Sequence, residues 1–429
     1  MRIKETIIGF VLSLAACSSS DEVSESPQPE QPQEQQYALG FSANLAEAEG
    51  TAKSRVTRAV GDGELTTDLL RKEGFGVYCW YTGSADFTTP LPTSARTGST
   101  EPYILLMQNQ HVVWNADLLH PSWTYSPTKY WPLKATEKLT LRAYAPYVSY
   151  QLQPDANGMP WLPVVVKDDD YHNGKQHDPL WGTGKFGGTD EDEGTTYGVL
   201  YDNYTHVMSG NELVKDADDG IVHWYFHHGM SKLIFLCSLV KDPGCEKVVI
   251  RSITITPLYT QGLLSLSSPT ANKNEKPEWT EKDGNMTVTL EENKDDNTTA
   301  GDFAPTPDPD DPGQPHPTKP YPFVLTTAND KDNPVDLLGN GKGLLIIPRT
   351  YTGGDDDKFT VTITYSVDDD SDEQTATAEL GATTFYGNTA YTLNFELTPS
   401  TRGLEITMVQ GAFTAWKDGG EGDHTVYNW

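Results

Sequence analysis

Short stretches with strand-type patterns dominate the sequence, whereas helix periodicity is scarce. These runs are rich in β-branched and aromatic residues, and turn-forming residues bound each of them. Only Glu64–Glu73 has the spacing of a short amphipathic helix. We expect strands at Gly76–Tyr81, Tyr103–Met107, His111–Asn115, Leu139–Tyr144, Trp161–Val166, Ile221–Phe226, Lys232–Leu239, Lys247–Thr256, Met286–Leu290, Gly343–Ile347, Phe359–Val367, Ala376–Leu380, Ala390–Leu397 and Leu404–Val409. The pattern predicts an all-β protein.

The length of the chain, 429 residues, favours more than one domain, because domains average roughly 100–200 residues. Two packed-sheet sandwiches in tandem account best for so many short strands. We expect an N-terminal domain over 59–220 and a C-terminal domain over 221–429, divided after the Gly-rich acidic segment 187–220. Asp302–Pro322 holds eight prolines, so we expect an exposed loop there, since proline lacks the amide donor that a sheet needs.

The N-terminus has the plan of a bacterial secretory signal. Basic residues precede the apolar stretch Ile7–Leu12, and small residues lead up to Cys17. The placement of Cys17 directly after Leu14-Ala15-Ala16 resembles the lipobox of bacterial lipoproteins, in which the thiol is acylated. We therefore expect a signal peptide over 1–16, a lipidated Cys17 and a polar tether over 17–36, with an unlipidated signal peptide as the alternative.

Net charge and hydropathy argue against nucleic-acid binding and against a membrane-spanning helix. The formal net charge of −30 leaves no basic surface for nucleic acid. The apolar run near the N-terminus is shorter than the ~20 residues of a membrane-spanning helix. The mature protein is therefore expected to be soluble or anchored only through lipid.

Motifs that carry chemistry are weak. Gly182–Gly187 fits G-x-G-x-x-G but precedes an acidic run, so we interpret it as a Gly-rich loop rather than a nucleotide site. On a strand, His223 and His227 would share a face, but no third metal ligand is evident. Runs of acidic residues favour solvated loops over paired catalytic carboxylates, with calcium in one of them as the alternative. They are Asp168–Asp170, Asp190–Glu193, Asp216–Asp219, Asp355–Asp357 and Asp368–Asp370. We therefore predict no enzymatic activity, no catalytic residue, no metal and no cofactor.

Cysteines and tryptophans each leave two interpretations open. Cys237 and Cys245 flank a turn, so a disulfide is possible if the register brings them together, whereas Cys79 is expected to be a buried thiol. Four tryptophans could form a sugar-stacking platform, but large aromatic residues in a β-sandwich more often fill the core between its sheets. They are Trp114, Trp123, Trp131 and Trp161.

Several phrases in order, together with the lipobox, resemble the fimbrillin family, the type V pilins of Bacteroidales. The resemblance covers nearly the whole chain from Cys17 to Trp429. Its phrases are Phe41–Asn44, Thr57–Ala59, Gly76–Tyr78, Tyr130–Pro132, Leu139–Tyr147, Asp178–Trp181, Phe226–Leu233, Leu345–Arg349 and Phe413–Gly420.

The resemblance implies two transthyretin-like β-sandwich domains that polymerise by strand exchange. Members are exported as lipoproteins to the outer membrane, and an Arg-specific protease then removes the anchor together with the first strand. A terminal strand of a neighbouring subunit fills the groove that remains. The implied product is a fimbrium at the cell surface, with this chain as a stalk, tip or accessory pilin. Its partners are other pilin subunits, the maturation protease, and host or bacterial surface ligands.

Specific residues suit this scheme. Tyr37–Asn44 alternates enough to form a strand, and the polar segment after it contains Arg55 and Arg58. We expect 37–58 to be a propeptide that is cleaved after Arg58 or, as a second choice, after Arg55. The donor is expected within Leu404–Trp429, although Leu404–Val409 could equally be an internal strand. The alternative function is a surface-anchored glycan-binding lipoprotein that keeps its lipid.

Overall fold

The structure is a computed structural model that describes most of the chain after residue 36. The described residues are 37–45, 67–87, 104–116, 121–134, 136–155, 158–172, 176, 178–184, 200–205, 208–209, 212–213, 220–241, 245–266, 278–291, 322–338, 343–368, 372–400 and 403–415. Strands dominate their secondary structure and helices are few, which confirms the all-β prediction. Within them, no helix has the length and apolar character that a membrane crossing requires.

Among the described residues, two short helices accompany the strands. They are α1 (Thr67–Glu73) and α2 (Asp168–His172). The strands of the first half are β1 (Gly40–Leu45), β2 (Phe75–Gly83), β3 (Ile104–Asn115), β4 (Ser122–Thr124), β5 (Lys138–Ala145), β6 (Gln153–Pro154), β7 (Pro160–Val165), β8 (Leu180–Gly184), β9 (Tyr201–Tyr204), β10 (Met208–Ser209), β11 (Glu212–Leu213) and β12 (Ile221–His228).

The second half continues with strands alone among its described residues. They are β13 (Ser231–Leu239), β14 (Lys247–Leu258), β15 (Gln261–Ser265), β16 (Trp279–Asp283), β17 (Met286–Glu291), β18 (Phe323–Thr326), β19 (Val335–Asp336), β20 (Leu344–Ile346), β21 (Arg349–Tyr351), β22 (Phe359–Val367), β23 (Gln374–Leu380), β24 (Thr383–Phe385), β25 (Thr389–Ser400) and β26 (Gly403–Ala415).

The first sheet has the order β1-β12-β8-β5-β2-β3-β4, and β9 also pairs with β5. Its central strands are buried on both faces, so β2 has a nearly continuous apolar sequence, and in β5 even the polar residues Thr140 and Arg142 are buried. One face belongs to a core that includes Phe75, Leu141 and Phe226. The other face brings Tyr144 and Trp181 into the core of the second half of the chain.

The glycine motif at residue 182 forms a strand where it is described, which corrects the loop prediction. Gly182 and Gly184 both lie in β8. A Cβ on Gly182 would lie 3.0 Å from the Trp224 ring, and one on Gly184 would lie 2.5 Å from the Tyr201 ring. These glycines therefore make room for aromatic side chains on the neighbouring strands.

A second sheet joins the two halves of the chain, in the order β16-β15-β7-β6. Its strand β7 comes from the first half and pairs antiparallel with β15 from the second. The strand that begins at Ile221 pairs with β8 and β1, within the first sheet. The two tandem domains divided near 221 remain a prediction.

Two further sheets build a sandwich-like second half. One has the order β19-β13-β25-β26, with β20 also on β13, and the other has the order β17-β14-β22-β23, with β18 also on β14. Both contribute to one hydrophobic cluster, which contains Phe235 and Phe395 from the first and Ile253 and Ile363 from the second. The C-terminal strand β26 is the last strand of its sheet and pairs with β25.

Two of the phrases that carry the family resemblance meet at the junction of the halves. The buried Asp178 carboxylate lies 2.7 Å from Nδ1 of the buried His228. The Gly229 amide donates to the Pro179 carbonyl at 2.7 Å, and the Trp279 indole donates to the Gly229 carbonyl at 2.8 Å. Polar contacts thus connect Asp178–Trp181 to the turn in Phe226–Leu233.

Candidate functional site: the first strand and its groove

The first strand, β1, lies at one end of the first sheet and connects the two ends of that sheet. Gly40–Leu45 pairs parallel with β12, from Gly40 beside Ile221 to Leu45 beside Phe226. On its other side Ala38 bridges Tyr130, just after β4 at the opposite end of the sheet. The strand predicted at Tyr37–Asn44 is confirmed as Gly40–Leu45. Its pairing with β12 and the bridge from Ala38 to Tyr130 close the first sheet on itself.

Alternate side chains of this strand enter the core. The four inward residues are 1% exposed (Leu39), 5% (Phe41), 8% (Ala43) and 4% (Leu45), whereas Gly40 and Ser42 lie on the other face. The Phe41 ring contacts the rings of Phe75 and Tyr125, with centroids 6.2 and 5.3 Å away. Each inward side chain therefore fills a place that another strand with the same alternation could fill.

Backbone bonds hold the start of the strand. The Leu39 amide donates to the Lys129 carbonyl at 2.9 Å, and the Trp131 amide donates to the Tyr37 carbonyl at 2.9 Å. The Tyr125 hydroxyl donates to the Leu39 carbonyl at 2.6 Å. These contacts use main-chain groups of the strand, so they do not depend on its side-chain sequence.

One side-chain hydrogen bond lies on the outward face. Ser42 Oγ and His223 Nδ1 are 2.5 Å apart, across the parallel pair of β1 and β12. The Tyr201 hydroxyl donates to the His223 carbonyl at 2.7 Å, which fixes the backbone of β12 at this level. The edge of β12 that pairs with the first strand is thus held in place by contacts outside the first strand.

The apolar contribution of this strand is large. Burying one Leu or Phe side chain contributes roughly 1.5–3 kcal/mol, so Leu39, Phe41 and Leu45 together contribute roughly 5–9 kcal/mol. Whole domains are stable by only about 5–15 kcal/mol. Losing the strand without a replacement would therefore remove much of the stability and would expose an unpaired edge of β12.

Three predicted processing residues lie outside the described residues: Cys17, Arg55 and Arg58. The described chain stops at Leu45 and resumes at Thr67. The lipidation and cleavage assignments therefore remain predictions. The C-terminal segment 416–429 and the loop 302–322 also lie outside the described residues.

The three described cysteines are buried and none of them forms a disulfide, so the possible Cys237–Cys245 bridge is not formed in the structure. Cys237 lies in β13 beside Phe395 of β25, and the Cys245 thiol donates to the Lys247 carbonyl at 3.7 Å. Burial raises the pKa of Cys237 to about 12, so it is a poor nucleophile. Cys79 is buried, as expected.

Dithiothreitol is expected to leave the melting temperature unchanged, because none of the cysteines that the structure describes forms a disulfide. A native bridge would contribute about 2–4 kcal/mol, and its reduction would lower the Tm by several degrees. The measurement is a thermal melt with and without reductant, with Cys245→Ser as the control. A reductant-dependent drop that is absent from Cys245→Ser would establish the bridge.

The histidines of β12 have separate environments. His223 lies under the first strand, and His228 pairs with Asp178. His227 is 6% exposed, with Nε2 2.9 Å from Thr183 Oγ1. Among the described residues, no group of three or more His, Cys, Asp or Glu side chains could hold a metal ion.

Acid is expected to destabilise the protein through His227. Burial, with a smaller effect of His228, lowers the pKa of His227 from 6.5 to about 3. Between these values the unfolded chain binds a proton that the folded chain does not, so stability falls as the pH drops below 6.5. From pH 7 to pH 5 the loss is about 2 kcal/mol. Urea titrations at both pH values should give a smaller loss for His227→Gln, and equal losses would contradict the prediction.

The tryptophans do not form one exposed platform. Trp123 and Trp131 are buried in the core beneath the first strand, and the Trp131 indole donates to the Gly220 carbonyl at 2.8 Å. Trp114 is half-buried against Trp123, with ring centroids 5.4 Å apart. Trp161 is half-buried in β7, on another sheet. This arrangement favours the core interpretation for Trp123 and Trp131.

Sequence reasoning missed the residues that line the groove. Val222, Trp224 and Phe226 stand beside Phe41, Ala43 and Leu45, and all three are buried. Alternation in Ile221–Phe226 predicted a strand, but nothing local in the sequence indicates its parallel partner. Tyr130–Pro132 carries part of the family resemblance, and the structure places it against Tyr37 and Ala38.

Protein-family models and curated proteins give no match to the sequence. Solved structures do. A fimbrial protein from Bacteroides vulgatus ATCC 8482 superposes with a TM-score of 0.54 at 19% identity, over 89% of this chain and 99% of that one. The chain has the fold of a fimbrial protein.

Other solved structures match with lower TM-scores. A candidate cell adhesion protein from Bacteroides uniformis ATCC 8492 gives 0.39 at 14% identity, over 90% of this chain and 100% of that one. A fimbrilin from Porphyromonas gingivalis W83 gives 0.36 at 8% identity, over 90% and 98%. The fimbrial fold rests on the Bacteroides vulgatus protein, whose match extends over nearly its whole length.

Proposed function

We propose that this chain is a fimbrial subunit that is assembled at the cell surface by strand replacement. The observation that carries the proposal is the first strand, which closes the sheet with four inward side chains and precedes the arginine-containing segment. The fimbrial fold supports the same role. The chain acts as a structural or adhesive protein rather than as an enzyme.

Maturation follows from the order of segments along the chain. Export as a lipoprotein places the acylated Cys17 and its tether on the outer membrane, where two or three acyl chains hold a protein stably. An Arg-specific protease then cuts after Arg58 or Arg55, and the strand at Gly40–Leu45 leaves with the anchor. The open edge of β12 pairs with a strand from another subunit, because unpaired amides and carbonyls favour β-augmentation.

The N-terminal residue of the surface form tests this proposal. Mass spectrometry of protein from cell-surface fimbriae is expected to find a start at Ala59 or Val56. The double variant Arg55→Gln with Arg58→Gln should accumulate as a lipidated, unpolymerised precursor, while Lys53→Gln serves as the matched control in the same segment. A lipidated Cys17 in assembled fimbriae would contradict the cleavage step.

A further inference from the structure

We propose that the side chains of Lys282, Arg349 and Tyr259 form a binding site for the carboxylate of an acidic sugar. The three residues come from separate parts of the second half of the chain. Tyr259 lies between β14 and β15, Lys282 lies in β16, and Arg349 begins β21. The inference goes beyond the proposed function, because the binding of a sugar by a single chain does not depend on assembly.

Two cationic side chains converge on one aromatic ring. The guanidinium carbon of Arg349 lies 4.3 Å from the centroid of the Tyr259 ring, and Lys282 Nζ lies 5.6 Å from the same centroid. Lys282 Nζ also donates to the carbonyl of Pro348, the residue before Arg349, at 3.2 Å. Arg349 is buried, whereas Tyr259 and Lys282 are partly exposed. The cluster therefore combines a buried cation with an aromatic ring and an ammonium group that solvent reaches.

The positive charge of this cluster is only partly compensated. Arg349 Nη2 lies 3.2 Å from Asp357 Oδ1, and Arg349 Nη1 donates to Asn285 Oδ1 at 2.9 Å. Arg349 Nε is buried and has no hydrogen-bond partner among the described residues. Within the same part of the chain, no carboxylate forms an ion pair with Lys282. One aspartate against two cations leaves an excess of positive charge.

The missing carboxylate at Lys282 is unexpected in so acidic a chain. Asp and Glu number 61 against 31 Lys and Arg. The acids on either side of Lys282 in the sequence, Glu281 and Asp283, are exposed and do not pair with it. Burial, with a smaller effect of the Arg349 charge, lowers the pKa of Lys282. A bound anion would supply the missing negative charge and would raise this pKa again.

The backbone of β16 is irregular next to Lys282. Glu281 has a φ of 48°, in the left-handed region that is unfavourable for a residue with a Cβ. The register of β15 against β16 also shifts here, which marks a β-bulge. A Cβ on Gly262 would lie 3.0 Å from the ring of the buried Trp279 and 3.3 Å from Lys282 Cγ. The bulge thus turns Lys282 to the side of the sheet where Trp279 lies, and bulges commonly re-aim a side chain next to a functional site.

The available donors and the ring favour a carboxylated sugar. An ammonium group has three donors, and Lys282 Nζ uses one of them for Pro348. Asn285 is exposed and accepts from Arg349 through Oδ1, so its Nδ2 donor is available to a ligand oxygen. The ring of Tyr259 provides an apolar surface for the sugar ring, as aromatic side chains do in ligand sites. A single carboxylate also matches the excess of one positive charge.

Titration of the purified full-length chain with small sugars tests the site. The probes are sodium glucuronate and N-acetylneuraminate, with glucose as the neutral sugar and acetate as the carboxylate without a ring. Isothermal titration calorimetry at low salt measures the dissociation constants. We expect each acidic sugar to bind roughly tenfold more tightly than glucose or acetate, because charge-assisted hydrogen bonds and ring contacts both contribute.

Two lysine variants make the test specific. Lys282→Gln should weaken the binding of glucuronate roughly tenfold or more, since it removes the ammonium group that holds the carboxylate. Lys358→Gln is the matched control, because Lys358 lies in the same half but contacts Glu379 at 3.1 Å and Asp355 at 3.5 Å. It should leave the dissociation constant unchanged within about twofold. Equal binding by Lys282→Gln and the unmodified chain would overturn the assignment of the site.

Thermal melts separate a binding role of Lys282 from a structural one. Without a sugar, Lys282→Gln should melt within about 2 °C of the unmodified chain, since the hydrogen bond it removes is offset by the loss of the repulsion from Arg349. Glucuronate should raise the Tm of the unmodified chain but not that of Lys282→Gln. A large drop in the Tm of Lys282→Gln, with no effect of glucuronate on either protein, would show that the cluster is structural.

The sugar titrations also distinguish the parts of the inference. Equal affinities for glucose and glucuronate would exclude a carboxylate site. Equal affinities for acetate and glucuronate would reduce the cluster to a simple anion site and overturn the sugar. Absence of binding by both acidic sugars would overturn the whole inference. None of these results bears on strand replacement, which the N-terminal residue of the surface form tests separately.

Discussion

Phe41→Ala is expected to lower the free energy of unfolding of the uncleaved precursor by about 3–5 kcal/mol, as Phe-to-Ala changes in packed cores do. The ring is 5% exposed and lies between Phe75 and Tyr125. Its loss leaves a cavity at the place where the two ends of the first sheet meet. Urea denaturation of the purified precursor measures the effect.

Ser42→Ala is the matched control, because Ser42 is the next residue and points to the other face. Its loss removes the contact with His223 and is expected to cost about 1 kcal/mol. Fimbriae assembled from cleaved Phe41→Ala should be as stable as those of the unmodified chain, since residue 41 leaves with the propeptide in the proposed maturation. Equal precursor stabilities for Phe41→Ala and Ser42→Ala would contradict the packing role, and less stable fimbriae would contradict the removal of the strand.

The existence of the first strand was predictable, but its neighbours were not. Tyr37–Asn44 alternates between apolar and polar residues, which is a local signal of period two. Its partner β12 begins about 180 residues later, and the pairing is parallel. No turn connects the two strands, so no local sequence signal sets the register, which depends on how Val222, Trp224 and Phe226 pack in the core.

Two wrong predictions also arose because local patterns do not show contacts with distant segments. One was the loop at the glycine motif, and the other was a pair of strands in place of β3. Gly182 and Gly184 suggested a loop because glycine weakens strands, but here they accommodate the rings of Trp224 and Tyr201, which lie elsewhere in the sequence. Two strands were predicted over Tyr103–Asn115, and the structure has one strand, Ile104–Asn115, with Asn109 at a positive φ of 49°. The polar residues that suggested a break belong to an irregularity within the strand.

Local sequence patterns also do not indicate how the two halves of the chain are joined. The prediction of two sandwiches rested on chain length and on a composition change near 221. The structure adds a sheet in which β7 of the first half pairs with β15 of the second. Such a pairing arises from side chains like Leu162 and Leu264, which alternate into one common core. The sequence predicts a strand at Trp161–Val166 but none at Gln261–Ser265, and no local pattern indicates that these two segments pair.

Asn109→Ala is expected to lower the free energy of unfolding by about 3–5 kcal/mol, because one substitution removes one buried and two part-buried hydrogen bonds and strains the backbone. The side-chain nitrogen of Asn109, Nδ2, donates to the Val148 and Tyr150 carbonyls at 2.9 and 2.8 Å. The side-chain oxygen, Oδ1, accepts a hydrogen bond from the buried Tyr144 hydroxyl at 2.5 Å. Alanine makes none of these bonds and tolerates the positive φ poorly.

The loss should extend through Tyr144 to the centre of the first sheet. The Tyr144 ring lies so close to Gly76 that a Cβ there would come within 2.3 Å of it, so the ring has one well-defined place. Gln108→Ala is the matched control, since Gln108 is exposed on the same strand and should change stability by less than about 0.5 kcal/mol. Urea denaturation of both variants decides the matter, because equal stabilities would mean that Asn109 does not hold the 144–150 segment against the sheet.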